Sequence, residues 1–376
     1  MTPSLLFIPD ITGFTKFVND TEVAHGQHIV AELLELIIDS DRLGMTVSEV
    51  EGDAVLFIRH PSSSFEMVLE QARVTFEAFH QHIKSYETRR ICKCGACRTA
   101  HGLSLKMIAH AGPVEIVAVH GFQKPYGSDV VLAHLLLKND VPESEYVLIT
   151  RSISEVGEAA GTALDSGSLP EWAEVIDGAT EYDDFGTARY RYVPLEPLRA
   201  SIPDPPPRPV FEKTDNPIAT ELVIDRPVSE VYELVTNFEA RLLWNHDAEE
   251  LTYEEGRVNR VGTKHNCLVH GTLLEFETIT ADFGEDRLVY GERILDSPLV
   301  DDVAFYYILE SEGDSTRVRL EVHYRPRPFP RNLIAPVFRF VFGRMMLPRV
   351  LRSIKQVAEQ QPEQAGAGGA PKLAGV

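Results

Sequence analysis

Positive charge is scarce in this chain: 36 Lys and Arg stand against 57 Asp and Glu, a formal net charge of −21. Broad nucleic-acid binding rests on a basic surface that neutralises phosphates, so no nucleic-acid partner is expected. Long apolar runs are missing too. The C-terminal stretch LIAPVFRFVFGRMML is broken by Arg339 and Arg344, which argues against a membrane-spanning helix. The opening MTPSLLFIPD has no basic start, and its apolar run stops at Asp10, so no export signal is expected. Cysteine is rare as well. Of four, three crowd into CKCGAC, which without an export signal points to metal or reduced thiols rather than disulfides. The expected location is cytoplasmic.

A chain of 376 residues is long for one core, so two domains are expected. The seam is ASIPDPPPRPVFEKTDNP, residues 200–217, where prolines fix φ and withhold backbone donors. This predicts a first domain over 1–199, a linker over 200–217 and a second domain over 218–360. The Gly/Ala-rich tail, 361–376, is expected to be disordered.

The first domain reads as α+β. LLFIP suits a buried strand and IVAELLELII a helix, while MTVSEV and AVLFIR flank the turn Glu51-Gly52-Asp53 as a hairpin. From Phe65 to Ile83 apolar residues recur every three or four positions, predicting a long helix. LSLKMIAH and VEIVAVH flank a turn at Gly112-Pro113, and a helix follows over 128–138. The order suits an antiparallel-rich, ferredoxin-like sheet with helices on one face. The second half opens with TELVI and a helix after Pro227, then runs through many short strands to a closing helix over 332–360. One long helix against a curved antiparallel sheet encloses a cavity, usually apolar.

Two aspartates stand at predicted strand tips, Asp10 in DITGFT and Asp53 in EGDAVLF. With HAGPVEIVAVHG (110–121), these fragments resemble class III nucleotidyl cyclases, in order over residues 5–150. The resemblance implies that Asp10 and Asp53 hold two Mg²⁺ or Mn²⁺ ions on a nucleoside triphosphate, and that the site forms in a homodimer. Hard cations suit carboxylate oxygens from neighbouring strand ends. Gly13 and Gly52 would let phosphates approach the backbone. By the same resemblance Glu49 takes the purine-reading position, with Lys124 near its partner position. The family's transition-state donors, however, fall on Val131 and Leu135 of GSDVVLAHLL. Neither can donate to a phosphate, and losing one positioned donor lowers rate by roughly 10²–10³. Metal binding with weak or absent cyclisation is therefore expected. An active cyclase making a cyclic nucleotide from GTP or ATP is the alternative.

CKCGACRTAH offers Cys92, Cys94, Cys97 and His101, enough to close a tetrahedral, structural Zn²⁺ shell. A reduced thiol cluster on a loop is the other reading. His265 and His270 stand at odd spacing, on opposite faces of any strand, which disfavours a shared metal.

The stretch ATELVIDRPVSEVYELVTNFEARLLWN resembles the opening of the START-like superfamily of polyketide cyclases and lipid-binding proteins, ending in its Trp244-Asn245 corner. The resemblance implies a helix-grip fold that binds a lipophilic small molecule, as sensor or as carrier. From Arg325 to Lys355 there are eight basic residues and no acidic one. With Leu333, Phe338, Val341, Met345, Leu351 and Ile354 they make a basic amphipathic helix interrupted by Pro336 and Pro348. Either it lids the cavity, or it also touches anionic lipid headgroups.

Overall fold

The structure, a computed structural model, describes residues 3–20, 23–159, 169–297, 300, 302–325 and 335–360. The chain divides into two compact units at Pro207/Arg208, with Gly256–Val258 grouped with the first.

The first unit begins with β1 (Ser4–Thr12), α1 (Phe14–Asp20) and α2 (Val23–Asp39). The hairpin β2 (Thr46–Glu51) and β3 (Ala54–Arg59) follows, then α3 (Phe65–Arg89), α4 (Gly95–Thr99) and β4 (Ser104–Gly112). Next come β5 (Glu115–Val119), β6 (Phe122–Tyr126), α5 (Ser128–Leu135), β7 (Tyr146–Thr150), α6 (Arg151–Ala159), β8 (Ile176–Tyr182) and β9 (Gly186–Pro194). The main sheet runs β2-β3-β1-β4-β7-β9-β8. Its first four strands form the ferredoxin-like core, and β7 joins β4 in parallel.

Helices cover both faces of this sheet, not one as the element order suggests. The cause is in β1, where LLFI is apolar at every position rather than at alternate ones, as strands buried on both faces are. Leu5 and Phe7 enter the core built with α2 and α3, while Leu6 and Ile8 enter a second core with Val130 and Ala133 of α5. A second departure concerns VEIVAVH. β5 does not fold back on β4; it pairs with β6 in a separate two-stranded ribbon. The reason is His120-Gly121, whose φ values of 48° and 88° make a tight turn that matches strand twist. Gly112-Pro113 instead ends β4 where α5 comes close: a Cβ at Gly112 would meet the Asp129 side chain at 2.3 Å.

The second unit contains β10 (Ile218–Ile224), α7 (Val228–Thr236), α8 (Arg241–Trp244), β11 (Ala248–Thr252), β12 (Lys264–Val269), β13 (Thr272–Ile279), β14 (Arg287–Ile294), β15 (Asp302–Glu312) and β16 (Ser315–Arg325). The strands form one antiparallel sheet, β10-β16-β15-β14-β13-β12-β11. α9 (Ala335–Val341), a π-helical turn at Phe342–Met346 and α10 (Leu347–Gln360) close the unit. This is the helix-grip arrangement. The closing helix is interrupted, and its i→i+5 turn shifts the register of the apolar face. Phe338, Leu347, Leu351 and Ile354 are buried, whereas Met345 is 60% exposed. Leu333 and the tail 361–376 lie outside the described residues.

Candidate functional site

In the first unit, the tip of β1 carries Asp10 on the side where Leu6 and Ile8 face α5. Across the ladder Asp10 is opposite Ala54 on one side and Lys106 on the other. Asp53 closes the β2–β3 turn beside it, and its carbonyl accepts from the Ile11 amide at 3.0 Å. The two carboxylates are electrostatic neighbours. Burial raises the Asp53 carboxyl above its usual value, and the Asp10 charge raises it further, against the pull of a backbone hydrogen bond and of Lys106. Gly52 and Gly13, at φ 62° and 90°, hold left-handed backbone at the turn and at the end of β1.

Sequence reasoning missed Lys106. Its Nζ lies 3.0 Å from Asp10 Oδ2 and donates to the Leu137 carbonyl at 3.1 Å. Asp10 and Asp53 offer the hard oxygens a divalent ion prefers, but one of them already carries an ammonium. An ion at Asp10 Oδ2 would have to displace that ammonium, so the donor set as it stands does not fit a two-cation centre.

Glu49, Lys124, Val131 and Leu135 come together around one groove of about 810 Å³. Val131 is 52% exposed and Leu135 joins it on the wall, so these two positions present hydrocarbon, beside Ser128, His134 and Lys138 of the same groove. His110 is a packed polar residue, with Nδ1 2.9 Å from Thr150 Oγ1 and Nε2 3.0 Å from Asp129 Oδ1, which ties β4 to β7 and α5. Burial keeps its pKa below the usual value despite Asp129.

The Cys92, Cys94 and Cys97 sulfurs lie within 4.8 Å of one another. His101 stands outside this group, on an exposed turn after α4.

The second unit encloses a cavity of about 310 Å³ between the sheet and the closing helix, with mostly apolar walls such as Ile294, Val303, Leu320 and Phe342. That is the lower end of the size range for small-molecule sites. One part of the wall is charged. Arg241 and Glu292 both line the cavity, and each side chain is only 2% exposed. Arg241 Nη1 donates to Glu292 Oε2 at 2.8 Å and Nη2 to Oε1; Nη2 also donates to the Tyr290 hydroxyl at 3.0 Å, and that hydroxyl donates to Glu292. Asn259 supports the group, donating to Tyr290 at 3.3 Å and accepting from Thr278 at 2.8 Å. The guanidinium lies over the Trp244 ring at 4.8 Å. Trp244 in turn donates from Nε1 to the Leu234 carbonyl at 3.0 Å, so the tryptophan corner pins α8, and with it Arg241, against α7.

His265 completes this cluster, with Nε2 3.4 Å from Glu292 Oε1 and its ring stacked on Phe276 at 5.1 Å. Among the described residues neither ring nitrogen has a hydrogen-bond partner, nor does Arg241 Nε. Burial holds the His265 imidazole down to about 4, so it is neutral at physiological pH. Burial alone would raise the Glu292 carboxyl; the Arg241 charge, then His265 and the hydrogen bonds, carry it well below the usual carboxylate range.

The sequence of this half shows no catalytic constellation. One signal was available: Tyr290, Glu292 and Ile294 share a strand phase, so Glu292 points the way two large apolar neighbours point. Nothing in the sequence marks Arg241, 51 positions away, as its partner.

Residues 218–359 match the family model described as polyketide cyclase / dehydrase and lipid transport. The second unit is similar to that family. Residues 30–146 match a family described as protein of unknown function, DUF2652. An uncharacterized protein of Mycobacterium tuberculosis is 28% identical over 159 residues, 42% of this chain and 74% of its own length. Among solved structures, the guanylate cyclase domain of RhGC from Catenaria anguillulae, in complex with GTP, is similar over 51% of this chain and 96% of its own, with 16% identity and a TM-score of 0.33. Truncated norcoclaurine synthase from Thalictrum flavum is similar over 41% of this chain and 99% of its own, with 13% identity and a TM-score of 0.32. Among the described residues, no helix is long and apolar enough to cross a membrane.

Proposed function

We propose that this protein binds a lipophilic small molecule bearing one polar group in the cavity of its polyketide-cyclase-like domain. Its cyclase-like domain then serves as a scaffold or nucleotide sensor rather than as an efficient cyclase. The observation that carries this reading is the apolar cavity of about 310 Å³ with the buried Arg241–Glu292 pair in its wall. An apolar body would be held by desolvation, at about 25 cal/mol per Å² of surface removed from water. The fixed charges would select where its polar group sits, as a few placed polar groups do in apolar sites. The family description of lipid transport is consistent with this ligand class.

The test uses 1-anilinonaphthalene-8-sulfonate, an apolar fluorophore with one anionic group. Saturable binding at one site is expected, displaced by long-chain fatty acid and weakened at least tenfold by Val303→Phe, which fills the cavity from β15. Dye binding unchanged in the Val303→Phe variant would refute the cavity as the site.

The enzyme reading keeps one observation in its favour, the neighbouring carboxylates of Asp10 and Asp53. Incubation with GTP or ATP and Mn²⁺ or Mg²⁺, beside an Asp10→Ala control, decides it: cyclic product lost in the control would restore a cyclase. Sensing predicts in addition that dye-site occupancy changes nucleotide affinity, and unchanged affinity would leave a carrier. Homodimerisation and contact of the basic closing helix with anionic lipid belong to the same proposal, and are read by sedimentation and by vesicle flotation.

A further inference from the structure

The strongest unassigned chemistry lies in the crossover from α3 to β4. Its sequence, RRICKCGACR, packs three thiols and four cations into ten residues. Locally the fold turns the sulfurs inward. Cys94 is the N-cap of α4, its Sγ accepting from the Cys97 amide at 3.4 Å, and the Cys92 Sγ accepts from the Cys94 amide at 3.2 Å. Backbone amides aimed at sulfur stabilise a thiolate more than a thiol, since a charged acceptor makes the stronger bond. Cys97 is 2% exposed while Cys92 and Cys94 are half-buried against the first unit's core, which also includes Ala96 and Ala100.

Three sulfurs within 4.8 Å of one another bring three soft donors to the spacing that a single thiophilic ion needs. Ligands on a tetrahedral Zn²⁺ with Zn–S of about 2.3 Å stand about 3.8 Å apart, inside that separation. A disulfide would use two of the three and leave one over. Arg89, Arg90, Lys93 and Arg98 flank the cluster in sequence and offset the net negative charge of a three-thiolate zinc centre.

We propose that Cys92, Cys94 and Cys97 form a three-thiolate site for Zn²⁺, and that His101 is not its fourth ligand. No fourth His, Cys, Asp or Glu donor joins the three among the described residues. A site with three protein ligands keeps a position for water or another exchangeable donor, unlike the closed four-ligand shell of a structural zinc. Binding displaces thiol protons, so occupancy rises with pH. By position, the metal clamps the start of α4, which packs between α1, α2 and α3, and so fixes the entry into β4.

The experiment takes the full chain, purified under reducing conditions without chelator. Elemental analysis is expected to give one zinc per chain, and replacement with Co²⁺ a sulfur-to-cobalt charge-transfer absorption in the near ultraviolet. Cys97→Ser should lose both, while Cys267→Ser and His101→Ala keep both. Should Cys97→Ser fail to fold, differential alkylation of the wild type decides. Cys92, Cys94 and Cys97 should resist iodoacetamide until a chelator is added, then react, while Cys267 does not change. Absence of stoichiometric metal and of the cobalt band in the wild type would overturn the site. So would an alkylation pattern indifferent to chelator. Loss of metal in His101→Ala would overturn the ligand set.

Discussion

Each half of the molecule holds a carboxylate against a cation, and the two pairs differ in depth. Asp10 and Lys106 meet at 3.0 Å with side chains 14% and 21% exposed, at the tip of a strand. Glu292 and Arg241 are 2% exposed, braced by Tyr290 and roofed by Trp244. Water reaches the first pair and screens it, so its members remain exchangeable. The second was taken wholly out of water, and neither charge can lose its partner cheaply. The contrast suits a strand tip whose ion pair is a modest, partly exposed one, and a cavity wall whose charges stay put.

Removing one partner from the deep pair is the sharpest way to break this comparison. Glu292→Ala leaves a buried guanidinium unpaired and is expected to destabilise the C-terminal unit by about 3–5 kcal/mol. Urea denaturation followed by Trp fluorescence reads it, since both tryptophans can be monitored and Trp244 sits on Arg241. A loss under 1 kcal/mol would mean the pair is wet.

Acid titration probes the same cluster. The His265 imidazole is held by burial at about 4, against an ordinary 6.5. The unfolded chain therefore takes up a proton in this window and the folded chain does not. Stability is full above pH 6.5 and falls as pH drops through the window towards 4, by ~3 kcal/mol at most. Glu292, held low, adds its loss only below the ordinary carboxylate range. His265→Asn should flatten the upper window and leave the lower one. An unchanged slope would assign the titration elsewhere.

Weaker effects belong to the strand tip. Lys106→Ala frees Asp10 Oδ2 and is expected to tighten Mn²⁺ binding about fivefold to tenfold, the scale of a partly exposed ion pair. Calorimetry or Mn²⁺ paramagnetic titration reads it, and no gain would mean that the ammonium does not compete with the ion. Smallest of all, Asp10→Asn should change unfolding free energy by no more than about 1 kcal/mol. A larger loss would erase the distinction between the pairs.

Much of the fold is legible in local pattern. The β2–β3 hairpin and α3 stand where periodicity and turn residues place them, because their signals lie within a few residues, and the Trp244 corner stands where the START-like resemblance implies. The second helical layer is harder to read: LLFI announces burial on both faces, but which helix covers the second face depends on α5 returning to it. His120-Gly121 is a turn strong enough to send β5 to β6, although Gly112-Pro113 is the turn that stands out in the sequence. In the sites, carboxylates at strand tips and clustered cysteines are visible by type. Lys106 is hidden because a lysine on a strand reads as an outward alternation partner until the neighbouring strand brings Asp10 opposite it.

By itself the amino-acid order determined which segments coil, extend or turn, and that three thiols share one short loop, because these follow from contacts between near neighbours. Only the tertiary structure decided that Lys106 answers Asp10, that Arg241 answers Glu292, and that His101 lies outside the group of three sulfurs. Such pairings depend on where strand register and helix packing carry side chains that are distant along the chain, and burial then sets the strength of each charge.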